Sequence, residues 1–181
     1  MPANDDCFLY GLVASFKSHG ALASRPVKTG APDTTLDLGV LAVEPGHRLA
    51  GNVELSDGEP LPAGLRLVLG REEAWDAQIA EVGADGSFAF EGLPAELYTL
   101  NGRIPGHVLS PENGSYDFLN REGLLGRLEG DVRDLVLLFE PGAETLESPK
   151  FDQGLFERYE ALRKAPLRGV ALEAKSEPRG R

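Results

Sequence analysis

The sequence predicts an all-β chain, an antiparallel β-sandwich of about seven strands followed by a short C-terminal helix. Three observations carry this prediction. The 181 residues include 22 Gly and 13 Pro, which suits many short strands joined by turns better than a helical bundle. Turn signals recur every 8–15 residues between alternating apolar runs, the spacing a sandwich requires. The stretch Asp85-Gly86-Ser87-Phe88-Ala89-Phe90-Glu91-Gly92-Leu93-Pro94 shows the pattern in miniature. Asp85-Gly86 is a tight-turn dipeptide, because Gly accepts the positive φ a hairpin needs. Phe88 and Phe90 are two apart, so both rings share one strand face, and Pro94 stops the strand because it has no N–H for the ladder.

Residues 1–46 read as two strands with a loop between them. Phe8 to Phe16 is the first, with Phe8, Tyr10, Leu12 and Ala14 on one face. His19 to Asp33 reads as loop, broken by His19-Gly20, Arg25-Pro26, Gly30 and Pro32. Thr34 to Val43 is the second strand, suited by β-branched Thr34, Thr35, Val40 and Val43. Glu44-Pro45-Gly46 then turns the chain into the central module, residues 47–142.

The module reads as strands at Arg48–Leu55, Leu65–Leu69, Ala77–Val82, Ser87–Phe90, Leu97–Arg103, His107–Leu109 and Asp134–Glu140, with Ser110 to Gly123 a polar loop. The run Leu135-Val136-Leu137-Leu138-Phe139 is apolar on both faces, so it belongs at the centre of a sheet or under cover. Residues 143–168 read as a linker and an amphipathic helix. Leu155, Phe156, Tyr159 and Leu162 form its stripe, Asp152 its N-cap, Phe151 a staple against Phe156, and Pro166 its stop. A helix of about twelve residues is marginal alone in water, so its stripe should dock on the sandwich or on another chain. Residues 169–181 are expected to be disordered.

An internal repeat crosses these boundaries. Asp37-Leu38-Gly39-Val40-Leu41-Ala42-Val43-Glu44-Pro45-Gly46 returns as Asp134-Leu135-Val136-Leu137-Leu138-Phe139-Glu140-Pro141-Gly142, and with Gly39 as an insertion seven of nine aligned positions are identical. Leu9-Tyr10-Gly11-Leu12 parallels Leu97-Tyr98-Thr99-Leu100, and Leu167-Arg168-Gly169-Val170 echoes Leu49-Ala50-Gly51. Either residues 1–46 close a preceding module of a tandem array, or they are an extension strapped onto one complete sandwich.

The motifs from Gly51 onward resemble a known family. The opening strand Gly51-Asn52-Val53-Glu54-Leu55, the turn Ser56-Asp57-Gly58-Glu59-Pro60-Leu61-Pro62, the Asp85-Gly86 turn, the Phe88-Ala89-Phe90 strand, the Gly92-Leu93-Pro94 exit and the Tyr98 strand are similar to the carboxypeptidase regulatory-like domain. The resemblance covers His47 to Gly142. It implies an immunoglobulin-like, prealbumin-like (transthyretin-like) sandwich of the kind repeated in bacterial envelope and secreted proteins. It also implies an exported setting, periplasmic, cell-envelope or extracellular, with neighbouring modules of the same polypeptide as partners. The family's domain supplies none of the zinc ligands of the carboxypeptidases themselves.

Charge narrows the partners. Net charge is −11, and residues 47–142 carry 7 Lys/Arg against 17 Asp/Glu, so phosphate backbones and anionic lipid heads are repelled and no nucleic-acid partner is expected. The last nineteen residues, with six Lys/Arg and two Glu, read as a solvated tail. Cys7 is the single cysteine, so no intrachain disulfide forms. No run of 18 apolar residues occurs, so no transmembrane helix is expected. The start, Met1 to Asp6, is acidic and polar, unlike a signal peptide, so export would need a signal outside this chain.

No catalytic constellation is legible. His19, His47 and His107 lack a second ligand at metal spacing, and no Gly-x-Ser-x-Gly elbow or Gly-rich phosphate loop occurs. The expectation is no enzyme, no cofactor and no metal. The turn acids of Asp57-Gly58-Glu59 and Asp85-Gly86 would hold calcium only if two loops converged, and read as solvated. Asn113-Gly114-Ser115 fits a glycosylation sequon. Trp75, the one Trp, lies in Glu72-Glu73-Ala74-Trp75-Asp76 and is expected to fold over the open edge of the core. Its alternative is a sugar platform, the indole stacking on C–H groups while Asp76 and its neighbours accept hydroxyls, with Tyr116 a second contact. The function expected is a non-catalytic interaction or spacer module with a protein or polysaccharide partner. The alternatives are a carbohydrate-binding module, by analogy with starch-binding-like sandwiches, and an accessory domain of a linked peptidase.

Overall fold

A computed structural model describes residues 5–16, 19–110, 113, 115–118, 121–142 and 153–167. In chain order the elements are β1 (Asp6–Leu9), α1 (Val13–Phe16), β2 (Arg25–Lys28), β3 (His47–Leu55), β4 (Arg66–Arg71), β5 (Ala77–Glu81), β6 (Ser87–Leu93), β7 (Leu97–Gly102), β8 (His107–Leu109), β9 (Ser115–Phe118), β10 (Arg121–Arg127), β11 (Val132–Pro141) and α2 (Gln153–Leu162). Two sheets make the sandwich. One has the order β5-β4-β7-β10-β9, antiparallel throughout. The other has the order β6-β3-β11-β8, antiparallel except that β3 and β11 run parallel. A separate two-stranded ribbon pairs β1 with β2.

The core follows from the period-two patterns. Leu67 and Leu69 of one sheet face Leu49, Val53, Phe88, Phe90, Leu135, Leu137 and Phe139 of the other in a single buried cluster. Each such side chain contributes roughly 1.5–3 kcal/mol by leaving water. The rings of Phe88 and Phe90 meet edge to face, centroids 6.1 Å apart, while Ala89 between them points to solvent. Gly51 is required where β3 and β11 approach: a β-carbon there would sit 1.8 Å from the Leu135 carbonyl oxygen. Tyr98 closes a corner, its hydroxyl donating to the Pro94 carbonyl at 2.9 Å. Burial, with Glu96 nearby, pushes that hydroxyl far above its ordinary pKa.

The sandwich has nine strands among the described residues, where seven were expected. The missed pair is β9 and β10, in and just beyond the run read as polar loop. Strand β10 carries no alternation because both its faces are covered: Leu124 enters the main core, whereas Leu125 joins Leu97 under Tyr159 and Leu162 of α2. The helix therefore docks on the sandwich, and Leu167 beyond it returns to the main core. Phe156 of the expected stripe faces solvent. The proposed cap Asp152, the staple residue Phe151, the linker from Glu144 to Lys150 and the tail 169–181 lie outside the described residues. No helix among the described residues is long and apolar enough to cross a membrane.

The N-terminal strands also differ from expectation. The Phe8–Phe16 run pairs only over β1 and then forms the single turn α1; β2 lies in the stretch read as loop; and Thr34 to Val43 forms no strand. Asn113 is buried, and its carboxamide donates to the Ser110 and Leu138 carbonyls at 3.0 and 2.9 Å, so the sequon asparagine is part of the fold.

Candidate binding surface at Trp75

The β4–β5 hairpin is clamped at its base by a buried arginine. All five N–H groups of Arg71 are used. Nε and Nη2 form a bidentate pair with Glu96, both at 2.8 Å. Nη1 donates to Asp76 Oδ2 at 3.1 Å and to the Gly11 carbonyl at 2.5 Å, and Nη2 donates to the Leu22 carbonyl at 3.2 Å. The guanidinium also lies over the Tyr10 ring, 5.7 Å from its centroid. Burial opposes the charge, but Glu96 and then Asp76 outweigh it and hold the Arg71 pKa above its ordinary value. The same two acids receive the N-terminal segment: Val13 N–H donates to Asp76 Oδ2 at 2.9 Å, and Ser24 N–H donates to Glu96.

This clamp leaves the turn tip outside. Trp75 is 95% exposed, so it does not cover the core as expected. The core edge is already closed by leucines of β4 and β7 and by Tyr98. The acids beside Trp75 are not free to receive a ligand either. Asp76 Oδ2 serves Arg71 and Val13, and its Oδ1 accepts from Gln78 Nε2 at 3.2 Å. Glu72 accepts from the Thr99 hydroxyl and from Tyr159 of α2. Glu73 accepts from Ser24 Oγ at 3.4 Å.

Next to Trp75 the outer face of the five-stranded sheet forms a shallow groove of about 400 Å³, lined in part by Val68, Gly70, Thr99 and Asn101. Backbone register sets its floor. Ile79 pairs with Val68, Val68 with Asn101, and Gly123 with Tyr116, while the Asn101 carboxamide lies over Gly123 where a side chain would otherwise sit. One row thus crosses all five strands. Ile79 is 65% exposed, and Asn101 Oδ1 is buried without a hydrogen-bond partner. Of the residues singled out in the sequence, Trp75 stands at the groove mouth, Asp76 is structural, and Tyr116 occupies the far end of the row on the edge strand β9. Arg71, Thr99 and Asn101 carried no sequence signal, since their roles depend on strand register.

A second cluster lies on the β3–β4 turn and the start of β8. His107 Nε2 is 2.9 Å from Asp57 Oδ2. The Glu59 N–H donates to Asp57 Oδ1 at 3.0 Å. That backbone bond, then His107, holds the Asp57 pKa below its usual value, and the Asp57 hydrogen bond raises that of His107. Asp85 is not part of this group; its Oδ1 accepts from Ser87 N–H and Oγ. His19 and His47 stand apart, facing the Phe16 carbonyl and Asp131.

No protein-family model matches the chain, so the resemblance to carboxypeptidase regulatory-like domains rests on the motifs alone. No curated protein matches it. Among solved structures it is similar to a DUF3823 family protein from Parabacteroides merdae, at 25% identity and a TM-score of 0.36, over 54% of this chain and 47% of that one. It is also similar to the Bacillus anthracis TIE protein (16%, TM-score 0.39, 67% and 20%) and to the group B streptococcus pilus 2b backbone protein (14%, 0.38, 67% and 49%). The chain spans less than half the length of each.

Proposed function

We propose that this chain is a non-catalytic β-sandwich module of a larger exported or cell-envelope protein, and that it binds a neutral polysaccharide through Trp75. The exposed indole carries the reading. An exposed indole offers a flat apolar face that a partner can cover, and here the hairpin beneath it is fixed by the Arg71 clamp. The neighbouring acids are already engaged, and the module is strongly acidic, so an anionic ligand is disfavoured. Val68 and Ile79 offer apolar contact beside Thr99 and Asn101, a mixture that suits the C–H faces and hydroxyls of a sugar. The exported setting comes from the motif resemblance.

The test uses intrinsic fluorescence with neutral cello-, malto- and xylo-oligosaccharides. The free protein should emit at long wavelength and be readily quenched by acrylamide. A bound oligosaccharide should shift the emission and protect it. Trp75→Ala should abolish binding while changing stability by less than about 0.5 kcal/mol, as expected of an exposed side chain. If none of the sugars moves the emission, the polysaccharide reading fails and a protein partner takes its place.

A further inference from the structure

We propose that Asp57, Glu59 and His107 form a binding site for a divalent transition-metal ion such as zinc. The three donors come from the β3–β4 turn and the start of β8, far apart in sequence, yet one ligand atom of each lies within 4.8 Å of the other two. Gly58, at φ +76°, lets the β3–β4 turn present both acids to the same side. The Glu59 N–H fixes Asp57 Oδ1, which leaves Oδ2 directed at the imidazole.

The histidine is held as metal-ligating histidines are held. Its side chain is only 8% exposed, and Nδ1 lies 3.3 Å from the Pro105 carbonyl oxygen, an acceptor that orients the ring. Nε2 is turned toward Asp57 Oδ2, 2.9 Å away. A metal ion at this place would take over from the proton of the His107–Asp57 hydrogen bond. One imidazole with two carboxylates suits zinc, cobalt, nickel or manganese. Calcium and magnesium prefer oxygen alone and more ligands. Three protein donors leave a position for water, so the site is open. A bound ion would tie the β3–β4 turn to the start of β8, beside the end of β11, where Gly142 N–H donates to the Gly106 carbonyl.

The experiment is calorimetric titration of the full chain with zinc chloride and, separately, calcium chloride, together with thermal melts in zinc and in EDTA. One equivalent of zinc should bind and raise the melting temperature. His107→Gln, Asp57→Asn and Glu59→Gln should each weaken binding at least about tenfold, and His47→Gln should leave it unchanged. Glu59 is exposed, so its variant keeps the test valid if His107→Gln folds poorly. Absence of saturable zinc binding, binding insensitive to Glu59→Gln, loss on His47→Gln, or equal affinity for calcium would each overturn the proposal.

Discussion

Residues 134–142 and 37–46 are nearly the same sequence in two different states. The later copy, as far as Pro141, lies within β11, paired with β3 on one side and β8 on the other. Its Leu135, Leu137 and Phe139 are in the core, and Val136 and Leu138 are half-buried. The earlier copy forms no strand, and Val40 is 93% exposed. Gly39, the single inserted residue, takes φ +66° and interrupts the extended run, while the Glu44 N–H and carbonyl bond back to Ala21. Side chains that make a central strand in one place make none in the other. Strand formation here is decided by neighbours on both edges and both faces rather than by β-propensity. The two accounts of residues 1–46 make different demands on this segment. As the closing strand of a preceding module, residues 37–43 would need that module's strands. As part of an extension, residues 1–46 would be held by the contacts of Gly11, Val13, Leu22 and Ser24 with the Arg71 cluster.

Substitution at matched positions sharpens the comparison. Leu137 is 1% exposed and its counterpart Leu41 is 37% exposed. Leu137→Ala should cost about 2–5 kcal/mol in urea unfolding, the range for a buried leucine. Leu41→Ala should cost less than about 1 kcal/mol, in keeping with a site near the surface. Equal costs would mean that the first copy is packed as a strand in solution. A smaller effect is expected at Val40. Val40→Lys should change the stability of this chain by no more than about 0.5 kcal/mol. The same change measured in a longer protein that includes the preceding sequence should again be neutral if residues 1–46 are an extension. A clear loss there would establish the tandem array.

The alternating strands were legible because their burial is one-sided: Phe88 and Phe90 in, Ala89 out. Strand β10 was not, because Leu124 and Leu125 are buried on opposite faces and period two disappears. Thr34 to Val43 misled for the reverse reason, having the composition of a strand but no partner. At the candidate surface, Trp75 was visible as a lone aromatic, but its exposure depends on the core being closed without it. Arg71 read as one more charge in a charged loop. Nothing local shows that Glu96, Asp76, Gly11 and Leu22 converge on it. His107 and Asp57 are likewise joined only by the fold, across 50 positions.

The parallel pairing of β3 and β11 has a mechanical consequence. The sandwich begins with one of these strands and ends with the other, and they run side by side through six registered pairs. Because they point the same way, the chain enters at one end of the molecule and leaves at the opposite end. Tension between residues 47 and 142 would therefore run along the strands and load the ladder in shear, straining its hydrogen bonds together instead of peeling them one by one. Forced unfolding is a question of rate, and a shared load raises its barrier. Pulling a single molecule between those two positions should need more force than pulling it between positions 47 and 93, where the antiparallel β3–β6 pair opens from its end at His47 and Leu93. Equal forces would show that the ladder does not bear the load.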